Sequence, residues 1–255
     1  MTIKDHTITL KQYDAILLDL DGVITSTANV HASCWKIMFD EYLKKHAKKE
    51  GEPFKAFETG VDYKLYVDGK PRYDGVRSFL KSRNIVLPEG DPNSPPDEES
   101  VHGLGNRKNE LIRDVVKTEG VVVFDGSVEW IKQLQSLGFK TAVVTSSRNC
   151  DLILGAAGLS DLFKTKLDGI VAAKLKIKGK PAPNTYLEAA KMLGASHERS
   201  VVVEDAISGV QAGRAGNFGL VIGVDRHGDP QSLKSNGADI VVSSLGELIP
   251  FTSKE

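Results

Sequence analysis

The spacing of apolar residues predicts strands alternating with helices from about residue 120 to the end of the chain. Short apolar runs predict strands at 139–145, 201–203, 219–224 and 238–242. Helical spacing predicts helices at 127–137, 149–157, 184–193 and 206–215. This alternation is typical of an α/β fold, a doubly wound parallel sheet with helices on both faces.

A further buried strand, Ile16-Leu17-Leu18, ends at Asp19, more than a hundred residues before the next one. Between them the apolar residues of 30–48 recur at helical spacing, and helical patterns return at 76–82 and 106–118. The proline-rich stretch 87–96 predicts an exposed loop. We therefore expect an α/β core formed by 1–28 and 120–255, and an inserted helical cap at 29–119.

Composition narrows the range of partners. The chain has 255 residues, 40% of them hydrophobic, which is enough for a full core, and its 33 basic residues balance 34 acidic ones. There is no positive field to attract nucleic acid or an anionic membrane, so we expect a small-molecule partner and a monomer or weak homo-oligomer. Cys34 and Cys150 are expected to be reduced thiols. No segment has the apolar length of a signal peptide or a membrane span, so a cytoplasmic location is expected.

The segment Asp19-Leu20-Asp21-Gly22 carries the strongest chemical signal. Two carboxylates two positions apart at a strand end leave on the same side, and like charges so close favour a bound cation or a shared proton. With a hard dication such as Mg²⁺, one carboxylate can attack phosphorus while the other moves a proton. The segment therefore predicts phosphoryl transfer through an aspartyl phosphate, although turns rich in Asp and Gly are also common in purely structural roles.

Three later stretches end strands or stiffen the chain in ways that fit this chemistry. Thr145 ends a strand and could bond a phosphoryl oxygen, or cap a helix. Lys180, in a rigid Lys-Pro-x-Pro segment, could meet a charged group, although most isolated lysines are solvated. Glu204 and Asp205 follow another strand and could complete a metal site, or Asp205 could cap the next helix. Because strand ends meet at one edge of an open sheet, these groups are expected in one crevice.

In this order the motifs resemble the four motifs of the haloacid dehalogenase superfamily over almost the whole chain, whose fold is a Rossmann-like core with an inserted cap. The resemblance implies that Asp19 is the nucleophile and Asp21 the general acid/base. It implies that Thr145 and Lys180 hold the transferring phosphoryl group. Mg²⁺ is the implied cofactor, and its ligands would come from Asp19, Glu204, Asp205 and the backbone carbonyl of Asp21.

The cap is similar to that of the β-phosphoglucomutase-like subfamily. The likeness runs through 19–25, through His31 and Trp35 on one helical face, through Gly69 with Arg72, and through 107–109, 147–149 and 180–183. It implies that the substrate is contacted by Leu20, Thr27, His31, Trp35, Gly69, Lys70, Arg72, Lys108, Ser147, Arg148 and Asn149. Of these, Arg72, Lys108 and residues 147–149 would contact the phosphate that is not transferred.

The implied reaction interconverts β-glucose 1-phosphate and glucose 6-phosphate through the 1,6-bisphosphate. A sugar-phosphate phosphatase of the same superfamily is the alternative enzyme, and it would share every core motif. A catalytically silent sugar-phosphate-binding module is a third possibility, which the intact pair Asp19 and Asp21 disfavours. Residues 223–227, after a late strand, are interpreted as capping the sheet.

Overall fold

A sheet of six parallel strands organises the computed structural model, which describes residues 7–255. Within these residues the strands are β1 Ile8–Thr9, β2 Ala15–Leu18, β3 Lys140–Val144, β4 Thr165–Leu167, β5 Ser200–Glu204, β6 Leu220–Val224, β7 Ile240–Val242 and β8 Thr252–Ser253. The main sheet has the order β4-β3-β2-β5-β6-β7, while β1 and β8 pair separately. The predicted α/β class with a parallel sheet is confirmed.

Helices connect these strands. In the described part of the chain they are α1 Ala28–Glu50, α2 Arg72–Ser82, α3 Val101–Glu119, α4 Asp125–Leu137, α5 Cys150–Ala156, α6 Gly169–Lys174, α7 Asn184–Met192, α8 Ile207–Ala215 and α9 Pro230–Ser235. A π-helical segment covers Thr59–Val67 and a 3₁₀-helix covers Leu245–Phe251. Among residues 7–255, no helix combines the length and the apolar character needed to cross a bilayer.

Strand β2 lies in the middle of the sheet because its residues can be buried on both sides. Its four residues, Ala15-Ile16-Leu17-Leu18, have no exposed surface, and Leu18 lies in register with Val143 of β3 and Val203 of β5. Continuous apolar runs of this kind are what a parallel sheet covered on both faces requires. Strands that are far apart in sequence therefore end side by side.

The chain divides into two units, each with its own contacts. One consists of the described residues up to Ser26 together with Val121–Glu255, and the other is Thr27–Gly120, compared with the predicted 29–119. In the second unit Phe39 packs against Phe79 and Phe57, with ring centroids 4.2 and 5.2 Å apart. These rings form an apolar centre that α1, α2 and the π-helical segment share.

The two stretches of the first unit that flank the insert pair with each other. The amide of Ser26 donates to the Val122 carbonyl at 2.8 Å, and the amide of Phe124 donates to the Ile24 carbonyl at 3.0 Å. Thr25 and Val123 form an antiparallel bridge between these bonds. The chain therefore leaves and re-enters the first unit through one short paired ribbon.

The sequence patterns missed several short elements. Strand β4 has three residues and α6 has six, too few for periodicity to identify. The pair β1 and β8 joins the two ends of the described chain, and Trp130 Nε1 donates to Thr252 Oγ1 at 2.8 Å beside it. The prediction that Cys34 and Cys150 form no disulfide is confirmed, since both are buried free thiols.

Phe39→Ala tests the apolar centre of the insert. Removing a ring with no exposed surface should lower the free energy of unfolding by about 3–5 kcal/mol, measured by urea titration with tryptophan fluorescence. Phe54, which is 43% exposed in the same unit, supplies the matched control. Phe54→Ala should change the free energy by less than about 1 kcal/mol, and equal effects of the two substitutions would contradict the packing described.

Candidate active site

Three strand ends meet beside the point where the order of the sheet reverses. Asp19 follows β2, Thr145 follows β3 and Glu204 ends β5, and these three strands are neighbours in the sheet. The strand order runs outward from β2 in one direction and from β5 in the other. Ligands of open α/β sheets bind beyond the carboxyl ends of the strands at such a reversal. The predicted convergence of these stretches is therefore present in the fold.

Lys180 ties the three strand ends together. Its Nζ donates to Asp19 Oδ1 at 2.5 Å and to the Val144 carbonyl at 3.2 Å, and it also forms an ion pair with Glu204 Oε1. The residue is only 3% exposed, so the alternative of a solvated surface lysine is wrong. Pro183, the N-cap residue of α7, follows in the same stiff segment.

The charges around Lys180 do not balance. Asp19, Glu204 and Asp205 are all buried, and one oxygen from each lies within 4.8 Å of the others. Against these three carboxylates, Lys180 is the ammonium group in direct contact. Two negative charges remain at full ionisation, and burying uncompensated charge is costly. A divalent cation carries the charge that this donor set needs, and carboxylate oxygens are the ligands that hard divalent cations prefer.

The protonation of the site reflects this imbalance. Burial raises the pKa of Asp19 well above its ordinary value, and the charges of Glu204 and Asp21 raise it further against the opposing effect of Lys180. Burial lowers the pKa of Lys180, but the carboxylates of Asp19 and Glu204 outweigh burial and raise it. Lys180 therefore stays protonated, and its charge alone does not keep Asp19 ionised.

The turn after Asp21 brings the backbone against Asp205. Gly22 has φ +89°, and a Cβ built on it would lie 1.7 Å from Asp205 Oδ2. The turn is closed by the Gly22 amide, which donates to the Thr25 carbonyl at 2.7 Å. Only glycine combines this backbone conformation with this close approach. The turn therefore places the backbone that follows Asp21 against the carboxylate of Asp205.

Asp205 precedes the N-cap position of the next helix. The N-cap residue of α8 is Ala206, whose side chain cannot accept a hydrogen bond. Glu204 Oε2 accepts from the Ala206 amide at 3.3 Å, which orients the carboxylate of Glu204 rather than starting the helix. Both acids lie in the cluster with Asp19.

Thr145 begins the loop that carries the three predicted phosphate-contacting residues. Its Oγ1 accepts from the Ser147 amide at 3.0 Å, and Ser147 Oγ accepts from the Asn149 amide at 3.2 Å. Asn149, not Thr145, is the N-cap residue of α5. Arg148 is exposed, while Leu20 has no exposed surface. The substrate contacts assigned to these residues stay predictions.

Tyr186 was not predicted as a site residue. Its hydroxyl donates to Glu204 Oε1 at 2.7 Å, and Lys180 Nζ lies 5.1 Å from the centroid of its ring. Burial raises the pKa of Tyr186, and the charge of Glu204 raises it further, so the hydroxyl stays a donor. The sequence signal that could have identified Tyr186 as a site residue is its position near the start of α7, shortly after Lys180. A tyrosine at that position is equally typical of a helix core.

Two predicted site residues of the insert contact each other. Lys108 Nζ lies 2.7 Å from His31 Nδ1 and 5.2 Å from the centroid of the Trp35 ring. Lys108 is only 4% exposed, which is unusual, because lysines are almost never fully buried unless they have a partner. The ammonium, the imidazole and the ring form a compact polar and aromatic group suited to an anionic ligand.

The remaining predicted residues of the insert differ in their contacts. Arg72 Nη2 donates to Oδ1 of Asn109 at 2.8 Å, and Asn109 follows Lys108 in the sequence. Lys70 Nζ donates instead to Ser78 Oγ at 3.0 Å and to the Leu65 carbonyl. Gly69 has φ +68° between the π-helical segment and α2, and Thr27 is the buried N-cap residue of α1. Their roles toward a substrate stay predictions.

Comparison with known proteins extends these observations. A family model described as a haloacid dehalogenase-like hydrolase matches residues 13–217. The chain belongs to the haloacid dehalogenase-like hydrolase family. The resemblance predicted from its motifs is therefore confirmed.

This haloacid dehalogenase-like protein also has relatives that match it along most of its length. It is 46% identical to a β-phosphoglucomutase of Mycobacterium bovis, over 92% of this chain and 91% of that protein. It is 29% identical to a β-phosphoglucomutase of Bacillus subtilis, over 92% and 91%. The solved structure of a β-phosphoglucomutase from Clostridium difficile matches it with a TM-score of 0.70 at 26% identity, covering 92% of this chain and 93% of that one.

Gly22→Ala should disable this haloacid dehalogenase-like site, because the added Cβ collides with Asp205. Gly51→Ala is the matched control, since Gly51 also has positive φ, +72°, but no atom within 4 Å of the added Cβ. Both substitutions should cost about 1 kcal/mol of backbone strain in thermal unfolding. Loss of turnover with both substitutions, or with neither, would contradict the close approach of Gly22 to Asp205.

Divalent cations should bind this family member more tightly as the pH rises. The pKa of Asp19 is higher in the folded protein than in the unfolded chain. Protonated Asp19 therefore contributes to the stability of the cation-free protein at low pH, and this contribution is lost as the pH rises through the folded pKa. A cation needs the ionised carboxylate, so binding releases a proton at low pH. Calorimetric titration with Mg²⁺ or Mn²⁺ as probe should show affinity increasing as the pH rises through the folded pKa of Asp19. Affinity independent of pH, or equal proton release by Asp19→Asn, would contradict this.

Proposed function

We propose that this protein is a Mg²⁺-dependent β-phosphoglucomutase that interconverts β-glucose 1-phosphate and glucose 6-phosphate through the 1,6-bisphosphate. One observation carries the chemistry: the buried carboxylate of Asp19 is held by Lys180 and lies within a cluster of three carboxylates. The 46% identity to the β-phosphoglucomutase of Mycobacterium bovis, over nearly the full length of both chains, supports the substrate.

Asp19 is the nucleophile of this proposal. In the first half-reaction the free hydroxyl of β-glucose 1-phosphate attacks phosphorus of phosphorylated Asp19, the bond between phosphorus and the Asp19 oxygen breaks, and Asp21, two residues further at the same strand end, takes the proton of the hydroxyl. This step forms the 1,6-bisphosphate and frees the carboxylate of Asp19. After the bisphosphate has turned round, Asp19 attacks the other phosphorus, the bond between that phosphorus and the sugar oxygen breaks, and Asp21 returns the proton to the leaving oxygen.

Lys180 and Thr145 hold the group that is transferred. The transition state spreads negative charge over the equatorial phosphoryl oxygens, and a buried ammonium stabilises that charge strongly. Asp19, Glu204, Asp205 and the Asp21 carbonyl would hold Mg²⁺, which would supply further neutralisation and favour the ionised form of Asp19. Glu204, oriented by Tyr186, keeps the Lys180 ammonium in place.

The insert supplies groups for the second phosphate. Lys108 and Arg72 are cations, and His31 and Asn109 hold them at fixed positions through hydrogen bonds. A mutase must retain a bisphosphate through a change of orientation, whereas a phosphatase needs no second anion site. The buried Lys108 is the feature of the insert that favours the mutase.

A small-phosphomonoester phosphatase is the second candidate. It is favoured by the description of the matching family as hydrolases and by the fact that every core group serves both reactions. The two differ in the fate of the phosphorylated Asp19, which a sugar hydroxyl attacks in one case and water in the other.

The decisive assay supplies Mg²⁺, β-glucose 1-phosphate and a trace of the 1,6-bisphosphate, and follows glucose 6-phosphate and free phosphate together. A mutase yields glucose 6-phosphate with little free phosphate. Stoichiometric free phosphate without isomer formation would replace the proposal by the phosphatase.

Asp19→Asn should lower turnover by about 10⁴-fold or more, because an amide cannot serve as the nucleophile. Asp14→Asn is the matched control: Asp14 pairs with Arg199 just before β2 and lies outside the site. The control should keep full turnover with a modest loss of thermal stability. Beryllium trifluoride should form an adduct on wild-type Asp19 alone, and turnover unchanged in Asp19→Asn would exclude the covalent mechanism.

A further inference from the structure

Arg226 lies at the catalytic edge of the sheet without having been assigned a role there. It follows β6 by two residues, and β6 neighbours β5, which ends at Glu204. Its neighbour Asp225 accepts through Oδ1 from the amides of His227 and Asp229 and so shapes a local turn, as the capping interpretation expects. The side chain of Arg226 makes contacts of a different kind.

The guanidinium of Arg226 joins three segments that are distant in sequence. Its Nε donates to the Gly22 carbonyl at 2.6 Å, and its Nη1 donates to the Ser243 carbonyl at 3.0 Å. Its centre lies 3.6 Å from the centroid of the Phe124 ring, close enough for stacking and a cation–π contact. A planar fork with several donors can make these contacts together, whereas a lysine cannot.

Gly22 is thereby held on two sides. On one side its Cα lies against the carboxylate of Asp205, with no room for a Cβ. On the other side its carbonyl is bound by Arg226. The bonds within the turn join Gly22 and Thr25 to each other and to Leu20, and Phe124 and Ser127 donate to the carbonyls of Ile24 and Val23. Arg226 adds a bond from this turn to the segment after β6.

The charge of Arg226 also faces the acidic cluster. Burial lowers the pKa of Arg226, and the negative charges of Asp205 and Asp225 oppose this shift. The positive charge of Arg226 and the negative charge of Asp205 therefore attract each other. Groups that surround a metal-binding carboxylate in this way can influence its orientation.

We propose that Arg226 is a positioning residue for phosphoryl transfer: it fixes the turn at Gly22 so that Asp21 and Asp205 keep the geometry needed for cation binding and proton transfer. The inference rests on the proposed function for its effect on turnover. Its effect on cation binding can be measured without a sugar phosphate.

Arg199 provides a matched control within the same sheet. It also donates to two backbone carbonyls, those of Leu10 and Lys11 at 2.9 Å each, and it pairs with Asp14. It precedes β5 and therefore lies at the opposite, amino-terminal end of that strand. If a loss of turnover or of Mg²⁺ affinity merely reflected a broken arginine anchor, substitution at either position should cause the same loss.

Arg226→Lys and Arg199→Lys should be compared with the wild type in three measurements: turnover and KM, the dissociation constant for Mg²⁺ in the free protein, and Tm. Arg226→Lys keeps the charge and removes the fork. It should lower kcat and weaken Mg²⁺ binding by about 10-fold or more, with KM for the sugar phosphate little changed. Arg199→Lys should lower Tm by at least as much while leaving kcat and Mg²⁺ affinity unchanged.

Three outcomes would overturn the positioning role. If kcat and Mg²⁺ affinity of Arg226→Lys stay within about twofold of the wild type, the positioning role is overturned, whatever happens to Tm. Parallel losses in both variants would make Arg226 a structural anchor only. If Arg226→Lys does not fold, Phe124→Leu removes the stacking partner instead, and wild-type parameters in that variant overturn the role. If the wild type turns over no sugar phosphate, the proposed function fails, and the Mg²⁺ titration still tests Arg226.

Discussion

The buried contact between Lys180 and the carboxylates of Asp19 and Glu204 is the constraint on which the rest of the site depends. Charges are removed from water only where partners compensate them, and here one ammonium serves more carboxylates than it can neutralise. The fold keeps this arrangement because the partners lie at the ends of β2 and β5, the buried central strands of the sheet, and the lysine also bonds to the end of β3. Stability and chemistry are thus coupled: the cluster that is costly without a cation is the one that a cation and a phosphoryl group would complete.

Much of this site could be predicted from local sequence. Apolar runs located the ends of β2, β3 and β5, and the rules of parallel sheets then required Asp19, Thr145 and Glu204 to be neighbours. The strand boundaries agree because buried parallel strands are uninterrupted apolar segments. The stiff proline context of Lys180 allowed its role to be predicted from the sequence, although its burial could not be predicted.

Other features depend on contacts that no local pattern records. Tyr186 has the helical spacing of an ordinary core residue, and only the fold brings its hydroxyl to Glu204. Arg226 follows a strand in a turn that looks structural, and its bond to Gly22 spans most of the chain. Strand β4 and the pair β1 and β8 are too short for a period to emerge, so their pairing is decided by tertiary packing alone.

The paired ribbon formed by Ser26 with Val122 and Phe124 with Ile24 has an evolutionary consequence. Because the chain departs and returns at adjacent points, the segment between them behaves as a cassette: it can be lengthened, shortened or exchanged while β2 and β3 keep their register. Selection can therefore diversify what is recognised without disturbing the electrostatics of the reaction. Families built in this way are expected to vary fastest in the cassette and slowest at the strand ends.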